Sequence, residues 1–347
     1  MAPTTNTSVI LNSIPSGHLI PNETLICKKS TIDLKNVSLS GGILIKTLYL
    51  SIDPYLRGKM RAPDPKLYET SYRLGEPIWG YAVVSVVRSE KEDVYPEDIL
   101  YVVYCPFEEY TIIPPNSQFS KIQTDPDISL SALANLGETA FYGLEVVAKP
   151  VKGETIYVSS GASAVGSLTA QLAKAKGLKV IASAGSDDKV AFMKSIGVDV
   201  AFNYKTESIA DILHKEGPID IYWDNVGGPT LDAALGACAM RGRVVICGVI
   251  SQYTAKEPYG IKNTPQILYK QLRVEGFFVT HARQKYEGAK SVGHRVKFFE
   301  TVLPLVKSGK VKWTEHVFNG IESVGEGMIA VLTSASTAKV VIKVADA

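Results

Sequence analysis

The stretch that decides the fold reads TIYVSSGASAVGSLTAQLAKAKGLKVIASAGSDDK and spans residues 155–189. Its first five residues are typical of a β-strand, the small residues after them lead into a helical pattern over 167–176, and residues 180–182 are again typical of a strand. Gly177 ends the helix. A strand, a helix and a second strand in this order predict a βαβ unit with two parallel strands.

The alternation of strand and helix patterns continues as far as residue 278. Further β-type runs occupy residues 200–203, 219–223, 243–247 and 273–278. Together with the first unit they give about six strands with helical crossovers. This pattern predicts an α/β fold with a doubly wound parallel sheet, the Rossmann fold.

The chain on either side of this region has a different character. Short β-type runs separated by turn residues fill residues 8–115, and β-like segments return from 311 to a strand pattern at 339–343. A chain of 347 residues is long enough for two cores. We therefore expect a mainly β domain made of residues 1–125 and 294–347, and a Rossmann domain made of residues 126–293.

Composition excludes several classes of protein. The 37 Lys and Arg residues nearly balance 35 Asp and Glu residues, so the formal charge of +2 gives no field that favours nucleic acid or an anionic membrane. No apolar run is long enough to cross a bilayer, and the polar start lacks a secretory pattern, so we expect a cytoplasmic protein. The four cysteines stand singly, without clustered zinc ligands, so we expect reduced thiols and no metal.

The turn between the first strand and its helix predicts a phosphate site. Gly161 and Gly166, with Ser163 between them, let backbone N–H groups approach a pyrophosphate at the N-terminus of the helix. The match to Gly-x-Gly-x-x-Gly is imperfect, and a plain tight turn is the alternative. The surrounding alternation of strands and helices favours a dinucleotide.

The end of the second strand indicates which dinucleotide would bind. Residues 182–186 include no acid that would bind a ribose diol, and Asp187 and Asp188 look like first-turn residues of the next helix. Lys189 can meet a 2′-phosphate, although a solvated helix lysine is the alternative. The missing acid and this lysine together favour NADP(H).

Several runs of the sequence also resemble one protein family over nearly the whole chain. They are LSIDPYLRG at 50–58, AVGS at 164–167, AGSDDK at 184–189, FNYK at 202–205, DNVGG at 224–228 and ICGVISQY at 246–253. In this order they are similar to the leukotriene B4 12-hydroxydehydrogenase/prostaglandin reductase and plant alkenal double-bond reductase family. Members are zinc-independent medium-chain dehydrogenase/reductases, with a GroES-like β domain, a Rossmann domain and commonly a homodimer.

The resemblance implies positions for NADP(H). It assigns Lys189 and Tyr204 to the 2′-phosphate of the cofactor. The residues that it places around the pyrophosphate, ribose and nicotinamide are Ser163, Ala164, Val165, Gly166, Asn225, Cys247, Gly248, Ser251, Tyr253, Phe277, Phe278 and Val279. Ser336 stands where the family has a cofactor-contacting asparagine, so the resemblance implies a contact through water there.

The resemblance also implies a reaction, the NADPH-dependent reduction of the carbon–carbon double bond of α,β-unsaturated aldehydes and ketones. Hydride addition to the β-carbon leaves negative charge on the substrate carbonyl oxygen, which Tyr253 would stabilise or protonate. Tyr55 and Tyr81 correspond to aromatic pocket positions that would bind the alkene, although both could equally be core residues. The alternatives are a quinone oxidoreductase, a catalytically silent NADPH-binding protein, and a zinc-free enzyme that oxidises allylic alcohols.

A few charged residues have competing interpretations. Arg57 is expected to be structural, paired with Asp53 or another carboxylate. His281 and Arg283 either border the cofactor site or belong to a solvent-facing loop. The segment ANLGE at 134–138 departs from the family, and it predicts an amide and a carboxylate near the cofactor.

Overall fold

The computed structural model describes residues 3–65, 70–122, 136–287, 296–336 and 338–346. The chain divides into two compact units, one within residues 1–133 and 315–347 and the other within 134–314. The first is mainly β and the second is a Rossmann unit. The predicted fold class is confirmed.

The elements are numbered in chain order. Within the described residues the strands are β1 (Thr4–Leu11), β2 (Leu25–Ile32), β3 (Ile43–Ser51), β4 (Trp79–Ser89), β5 (Ile99–Pro106), β6 (Tyr110–Ile113), β7 (Phe119–Lys121), β8 (Thr155–Val158), β9 (Lys179–Ala184), β10 (Val200–Asn203), β11 (Ile219–Asp224), β12 (Cys238–Ile246), β13 (Arg273–Gly276), β14 (Glu315–Asn319) and β15 (Lys339–Lys343). The helices are α1 (Tyr55–Lys59), α2 (Glu138–Tyr142), α3 (Ala164–Ala175), α4 (Asp187–Ser195), α5 (Ile209–Glu216), α6 (Gly228–Ala237), α7 (Ile250–Tyr253), α8 (Pro265–Tyr269), α9 (Val279–Glu287), α10 (Val296–Lys307) and α11 (Val324–Leu332). A π-helical turn at Gly143–Ala148 follows α2.

The first unit is built on a sheet with strand order β14-β15-β3-β4-β5-β7, in which β6 also pairs with β3. Only β14 and β15 run parallel in the pairings of this sheet. Most residues of β3 are buried, as expected for a central strand that carries a nearly continuous apolar run. The C-terminal strand β15 lies inside the sheet, between β14 and β3.

A buried ion pair connects β15 to the segment that follows β3. Lys339 Nζ lies 2.8 Å from Asp53 Oδ1 and also donates to the carbonyl of Ile52, while the Ser51 hydroxyl donates to Asp53 Oδ2. Burial lowers the pKa of Lys339, and the carboxylate of Asp53 opposes that shift. These bonds fix the entry to α1, because Asp53 lies two residues before it.

Arg57 is structural, as expected, but its partners differ from the prediction. Its guanidinium donates to the backbone carbonyls of Pro15 and Gly17, with Nη2–O distances of 2.8 Å. Asp53 is already paired with the buried Lys339, so the carboxylate predicted for Arg57 is not its partner. Arg57 therefore holds the 15–17 loop against α1.

The second unit is a parallel sheet with strand order β10-β9-β8-β11-β12-β13. This is the doubly wound order, in which the chain starts at the centre, winds to one edge, and then returns to wind to the other. The predicted strands are all present. The order reverses between β8 and β11, and the carboxyl ends of these two strands are where ligands bind in open α/β sheets.

No helix among the described residues combines the length and apolar character that crossing a bilayer would require.

Candidate active site

Ser159 and Asn225 follow β8 and β11, the two strands between which the strand order reverses, and they are hydrogen-bonded to each other. Asn225 donates through its backbone N–H to Ser159 Oγ (3.0 Å) and through Nδ2 to the Ser159 carbonyl (2.7 Å). Its Oδ1 accepts a hydrogen bond from Trp223 Nε1 (3.2 Å). Two hydrogen bonds therefore fix the side chain of Asn225, and a third fixes its backbone, at the carboxyl edge of the sheet, where the sequence predicted a cofactor contact.

The predicted phosphate turn follows β8 and leads into α3. A Cβ on Gly166 would collide with the carbonyl of Ser160, and one on Gly161 would lie 2.6 Å from Ala182 Cβ, so both positions require glycine. Ser163 caps the helix by accepting a hydrogen bond from the Gly166 N–H. Ala164 follows as the first helical residue and is half-buried, as is Val165 after it.

This turn fits a pyrophosphate. The backbone N–H groups of Ala164 and Val165 begin α3 and have no intrahelical acceptor, while that of Gly166 donates to Ser163 Oγ.

The ends of β9 and β10 bring together an aromatic ring and two lysines. A Cβ on Gly185 would lie 2.9 Å from the hydroxyl of Tyr204, so the ring covers this glycine, and 44% of Tyr204 remains exposed. Burial lowers the pKa of Lys189, and the positive charge of Lys205, the residue after Tyr204, lowers it further. Two ammonium groups beside an exposed ring can hold a phosphate dianion.

Of the two acids beside this cluster, Asp187 accepts a hydrogen bond from within the protein. Asp187 and Asp188 lie in the first turn of α4, as predicted. Asp187 Oδ1 accepts a hydrogen bond from Asn203 Nδ2 (2.8 Å), and Asn203 Oδ1 accepts from the backbone N–H of Lys205 (3.1 Å). Asp187 therefore orders the loop that carries Lys205.

The turn after β11 is built around the buried carboxylate of Asp224. Its Oδ1 accepts hydrogen bonds from the backbone N–H groups of Val226 (2.9 Å) and Gly227 (2.8 Å) and from the Tyr222 hydroxyl (2.6 Å). Burial nevertheless raises its pKa. The carbonyl of Asp224 accepts from the N–H groups of Cys247 and Gly248, so this residue fixes two neighbouring cofactor candidates.

Cys247 is held as a neutral thiol. Burial, and secondly the carboxylate of Asp224, raise the pKa of its thiol to about 12. It is therefore protonated at neutral pH and is not a thiolate nucleophile.

Tyr253 ends the short helix α7 and is half-exposed, outside the buried core. The helix is tied to the turn after β11, because the backbone N–H and the hydroxyl of Ser251 both donate to the Val226 carbonyl (3.1 and 2.6 Å). Gly228, at φ 55°, allows this approach, since a Cβ there would lie 2.9 Å from both Ser251 Oγ and Gln252 Nε2. Tyr253 and Asn225 therefore belong to one cluster of connected turns.

The segment after β13 supplies the remaining candidates of this unit. The ring of Phe277 meets Trp223 edge-to-face with centroids 5.9 Å apart. Phe278 is 45% exposed and its ring lies edge-on to His281, with centroids 6.2 Å apart. Val279 is half-buried and begins α9.

For Arg283, the structure contradicts the solvent-facing loop, one of the two places that the sequence allowed. It lies on α9, not in a loop, and its guanidinium is buried 2.9 Å from the carboxylate of Glu138 on α2. His281 lies on the same helix and is exposed. Glu138, the carboxylate predicted near the cofactor, is thus paired with Arg283. Asn135, the amide predicted there, lies outside the described residues.

The first unit contains the substrate candidates. The rings of Tyr55 and Tyr81 meet edge-to-face at 6.2 Å, and Tyr81 stacks on Tyr101 at 5.6 Å. The ammonium of the buried Lys59 lies 4.3 Å from the centroid of Trp79. Burial raises the pKa of Tyr55 well above its ordinary value, so it remains a phenol.

Ser336, the remaining cofactor candidate, also lies in the first unit. Its hydroxyl donates to the Ala338 carbonyl (2.6 Å) and accepts from the Ala338 N–H (3.2 Å). This pair of bonds closes a local turn.

Sequence reasoning missed three features of the second unit: Lys205 beside Lys189, the Glu138–Arg283 pair, and the buried Asp232. Lys205 could have been found, because it directly follows Tyr204 in a run that the family shares. Within the described part of the chain, no group of three or more His, Cys, Asp or Glu residues could hold a metal ion.

A Rossmann unit with a phosphate turn and a lysine–tyrosine cluster, alongside a mainly β unit with an aromatic cluster, defines the class of medium-chain dehydrogenase/reductases. Two family models match: residues 8–122 match the N-terminal domain of oxidoreductase, and residues 164–292 match the zinc-binding dehydrogenase.

Comparison with individual proteins places the chain in one family within this class. The chain is 38% identical to the NADP-dependent 2-alkenal reductase of Nicotiana tabacum, over 98% of this chain and 97% of that protein. It is 36% identical to the (+)-pulegone reductase of Mentha piperita, over 98% of both chains. The crystal structure of CurA in complex with NADPH from Vibrio vulnificus has a TM-score of 0.84 and 28% identity, covering 98% of this chain and 100% of that chain. The chain belongs to the medium-chain reductase family that includes the 2-alkenal, pulegone and prostaglandin reductases.

Proposed function

We propose that this protein is an NADPH-dependent reductase of the carbon–carbon double bond of α,β-unsaturated aldehydes and ketones. The observation that carries the proposal is the lysine–tyrosine cluster of Lys189, Tyr204 and Lys205, in the unit that also connects Tyr253 to the end of β11. Relatives named as reductases of 2-alkenals and of pulegone support this choice of substrate class.

The second unit has the groups that NADP(H) needs. Lys189 and Tyr204, joined by Lys205, would hold the 2′-phosphate, and the turn at 163–166 would hold the pyrophosphate through backbone N–H groups. The remaining contacts would come from the residues that end β11, β12 and β13, namely Asn225, Cys247, Gly248, Phe277, Phe278 and Val279, with Ser251 from α7 and Ser336 from the first unit. The chemistry that the reduced nicotinamide supplies when bound is a hydride for the β-carbon of the alkene.

Tyr253 would act on the substrate carbonyl. As the β-carbon is reduced, the carbonyl oxygen becomes an enolate oxygen, and the phenol can donate a hydrogen bond to it. The phenol can then deliver the proton that the α-carbon requires, and water restores it. Hydride and proton together account for the two hydrogens that the saturated product gains.

Tyr55 and Tyr81 would form an aromatic wall for the substrate. Their edge-to-face arrangement and the stack of Tyr81 on Tyr101 bring three aromatic rings together, and aromatic side chains suit a conjugated and partly apolar molecule.

The test is consumption of NADPH, followed by its absorbance, with a cinnamaldehyde-type alkenal, a 4-hydroxyalkenal and a quinone. We expect oxidation with the two alkenals, and a decrease in kcat of about 100-fold in Tyr253→Phe, since one donor to a developing oxyanion is lost. Tyr269→Phe is the matched control, because that tyrosine is 69% exposed on α8. Oxidation with the quinone alone, unaffected by Tyr253→Phe, would identify a quinone oxidoreductase; no oxidation with any substrate would identify a silent binder.

We further propose a cytoplasmic homodimer. Four free cysteines support a reducing compartment. Among the described strands β13 stands at the edge of the Rossmann sheet, with Val274 42% exposed and Leu268 76% exposed just before it. An exposed edge strand presents backbone N–H and carbonyl groups that can pair with a second copy.

A further inference from the structure

A buried carboxylate outside the proposed cofactor contacts holds the loop that follows Tyr253. Asp232 lies on α6 and is 6% exposed. Its Oδ1 accepts hydrogen bonds from the backbone N–H groups of Lys262 (3.0 Å) and Asn263 (2.7 Å), and its Oδ2 accepts from the Tyr259 hydroxyl (3.0 Å). Asn263 Nδ2 donates back to the Asp232 carbonyl (2.9 Å).

The same loop is tied at its other end, next to Tyr253. Gln252 Oε1 accepts a hydrogen bond from the Tyr259 N–H (2.9 Å), and Gln252 Nε2 donates to Ser251 Oγ (2.9 Å). Ser251 Oγ in turn donates to the Val226 carbonyl. The chain from 251 to 263 is therefore a closed loop, attached to the turn after β11 at one end and to α6 at the other.

Asp232 accepts the hydrogen bonds that attach this loop to α6. Without its carboxylate, two backbone N–H groups and a phenol lose their acceptor, and the partly buried Ile261 between them loses its fixed position against the core of the unit. The rest of the loop is short of buried contacts, since residues 255–258 are all exposed. A loop with so little packing depends on its hydrogen bonds for a single conformation.

We propose that Asp232 is a positioning residue for the reduction: it sets the orientation of Tyr253 by holding residues 254–263 against α6. The inference rests on the proposed role of Tyr253. The groups proposed for the 2′-phosphate, Lys189 and Tyr204, lie on α4 and just beyond β10 and are not among the hydrogen-bond partners of Asp232.

The first experiment compares Asp232→Ala, Asp232→Asn and the control Asp211→Ala, whose side chain is exposed on α5. We expect Asp232→Ala to lower kcat for an alkenal by about 10- to 100-fold, because small misplacements of a reacting group cost that much. The Kd for NADPH, measured by fluorescence, changes much less than kcat, because Ser251 keeps its own hydrogen bonds to the Val226 carbonyl. Asp232→Asn retains most of kcat, since the amide oxygen still accepts from both backbone N–H groups.

The second experiment separates positioning from general damage. If Asp232 acts through Tyr253, the double variant Asp232→Ala/Tyr253→Phe has the kcat of Tyr253→Phe alone. Losses that multiply in the double variant, or an unchanged kcat in Asp232→Ala, overturn the inference. An unchanged kcat in Tyr253→Phe overturns instead the proposed role of Tyr253.

Tyr259→Phe covers the case in which Asp232→Ala does not fold. It removes one hydrogen bond to the carboxylate and leaves the backbone bonds in place. We expect a decrease in kcat of a few-fold that disappears in the Tyr253→Phe background. An unchanged kcat in Tyr259→Phe then overturns the inference.

Discussion

Two ammonium groups, Lys189 and Lys205, share the end of the Rossmann sheet with the ring of Tyr204. Like charges placed this close repel each other, and burial adds to the cost, so the pKa of Lys189 is lowered. A bound dianion would remove the repulsion. Charge pairing with the 2′-phosphate, as proposed for this cluster, would give a physical reason for keeping two lysines together.

Lys189→Ala should change the choice of cofactor. Loss of one charge-assisted hydrogen bond costs about 1.5–3 kcal/mol, so the Kd for NADPH should rise about 10- to 100-fold, while the Kd for NADH stays the same. Because the pKa of Lys189 is lowered, it loses its charge at a lower pH than a free lysine, and NADPH affinity should fall earlier toward alkaline pH. Fluorescence titration with both cofactors measures this, and an equal loss for NADH would contradict it.

Single residues were predictable where the chain itself places them at strand ends. Lys189 follows β9 within a few residues, so the strand pattern pointed to it, whereas Tyr204, directly after β10, was implied by the family resemblance. Glu138 and Arg283 are 145 positions apart, and Asp232 meets Asn263 from 31 positions away. Pairings of this kind depend on how helices pack, which local spacing does not encode.

At the scale of elements, α2 and α9 are joined by the Glu138–Arg283 pair, whose side chains are 2% and 8% exposed. A buried pair is weakly stabilising as a whole, yet removal of one partner leaves an uncompensated charge in the interior. Because α9 begins directly after Phe278, this pair also fixes the start of the segment that would border the nicotinamide.

Glu138→Leu should therefore destabilise the second unit by about 3–5 kcal/mol, whereas Glu138→Leu/Arg283→Met should recover most of the loss. Urea unfolding followed by the fluorescence of Trp223, a buried residue of this unit, provides the measurement. A double variant as unstable as the single one would show that the ion pair is not the source of the effect.

Strand patterns predicted which strands form the Rossmann sheet, but not where each element begins or how it packs against its neighbours. The π-helical turn at Gly143–Ala148 was not predicted, and it lies where a Cβ on Gly143 would collide with Trp223. The strand β12 begins at Cys238, five residues before the predicted run, with an irregular register between Ile219 and Ile221 of its neighbour β11. Apolar periodicity reports which residues are buried, not how closely two elements approach.

At the scale of the whole molecule, the exposed edge strand β13 makes the proposed homodimer testable. Val274→Asp places a charge at the centre of this edge, and a charge there opposes strand pairing between copies. We expect light scattering after size exclusion to report twice the chain mass for the unmodified protein and the single-chain mass for the variant. Val151→Asp, at a residue 61% exposed away from this strand in sequence, is the control.

The position of β15 between β14 and β3 has a consequence for the order of events on the ribosome. Residues 155–276, which include every described strand of the Rossmann sheet, emerge before residues 339–343 have been synthesised. The sheet of the first unit therefore cannot be completed until β15 has been synthesised, because β3 lacks that neighbour, and the Rossmann unit has time to form before then. A nascent chain stalled just before Lys339 should accordingly resist protease in its later half and be cut in its earlier one.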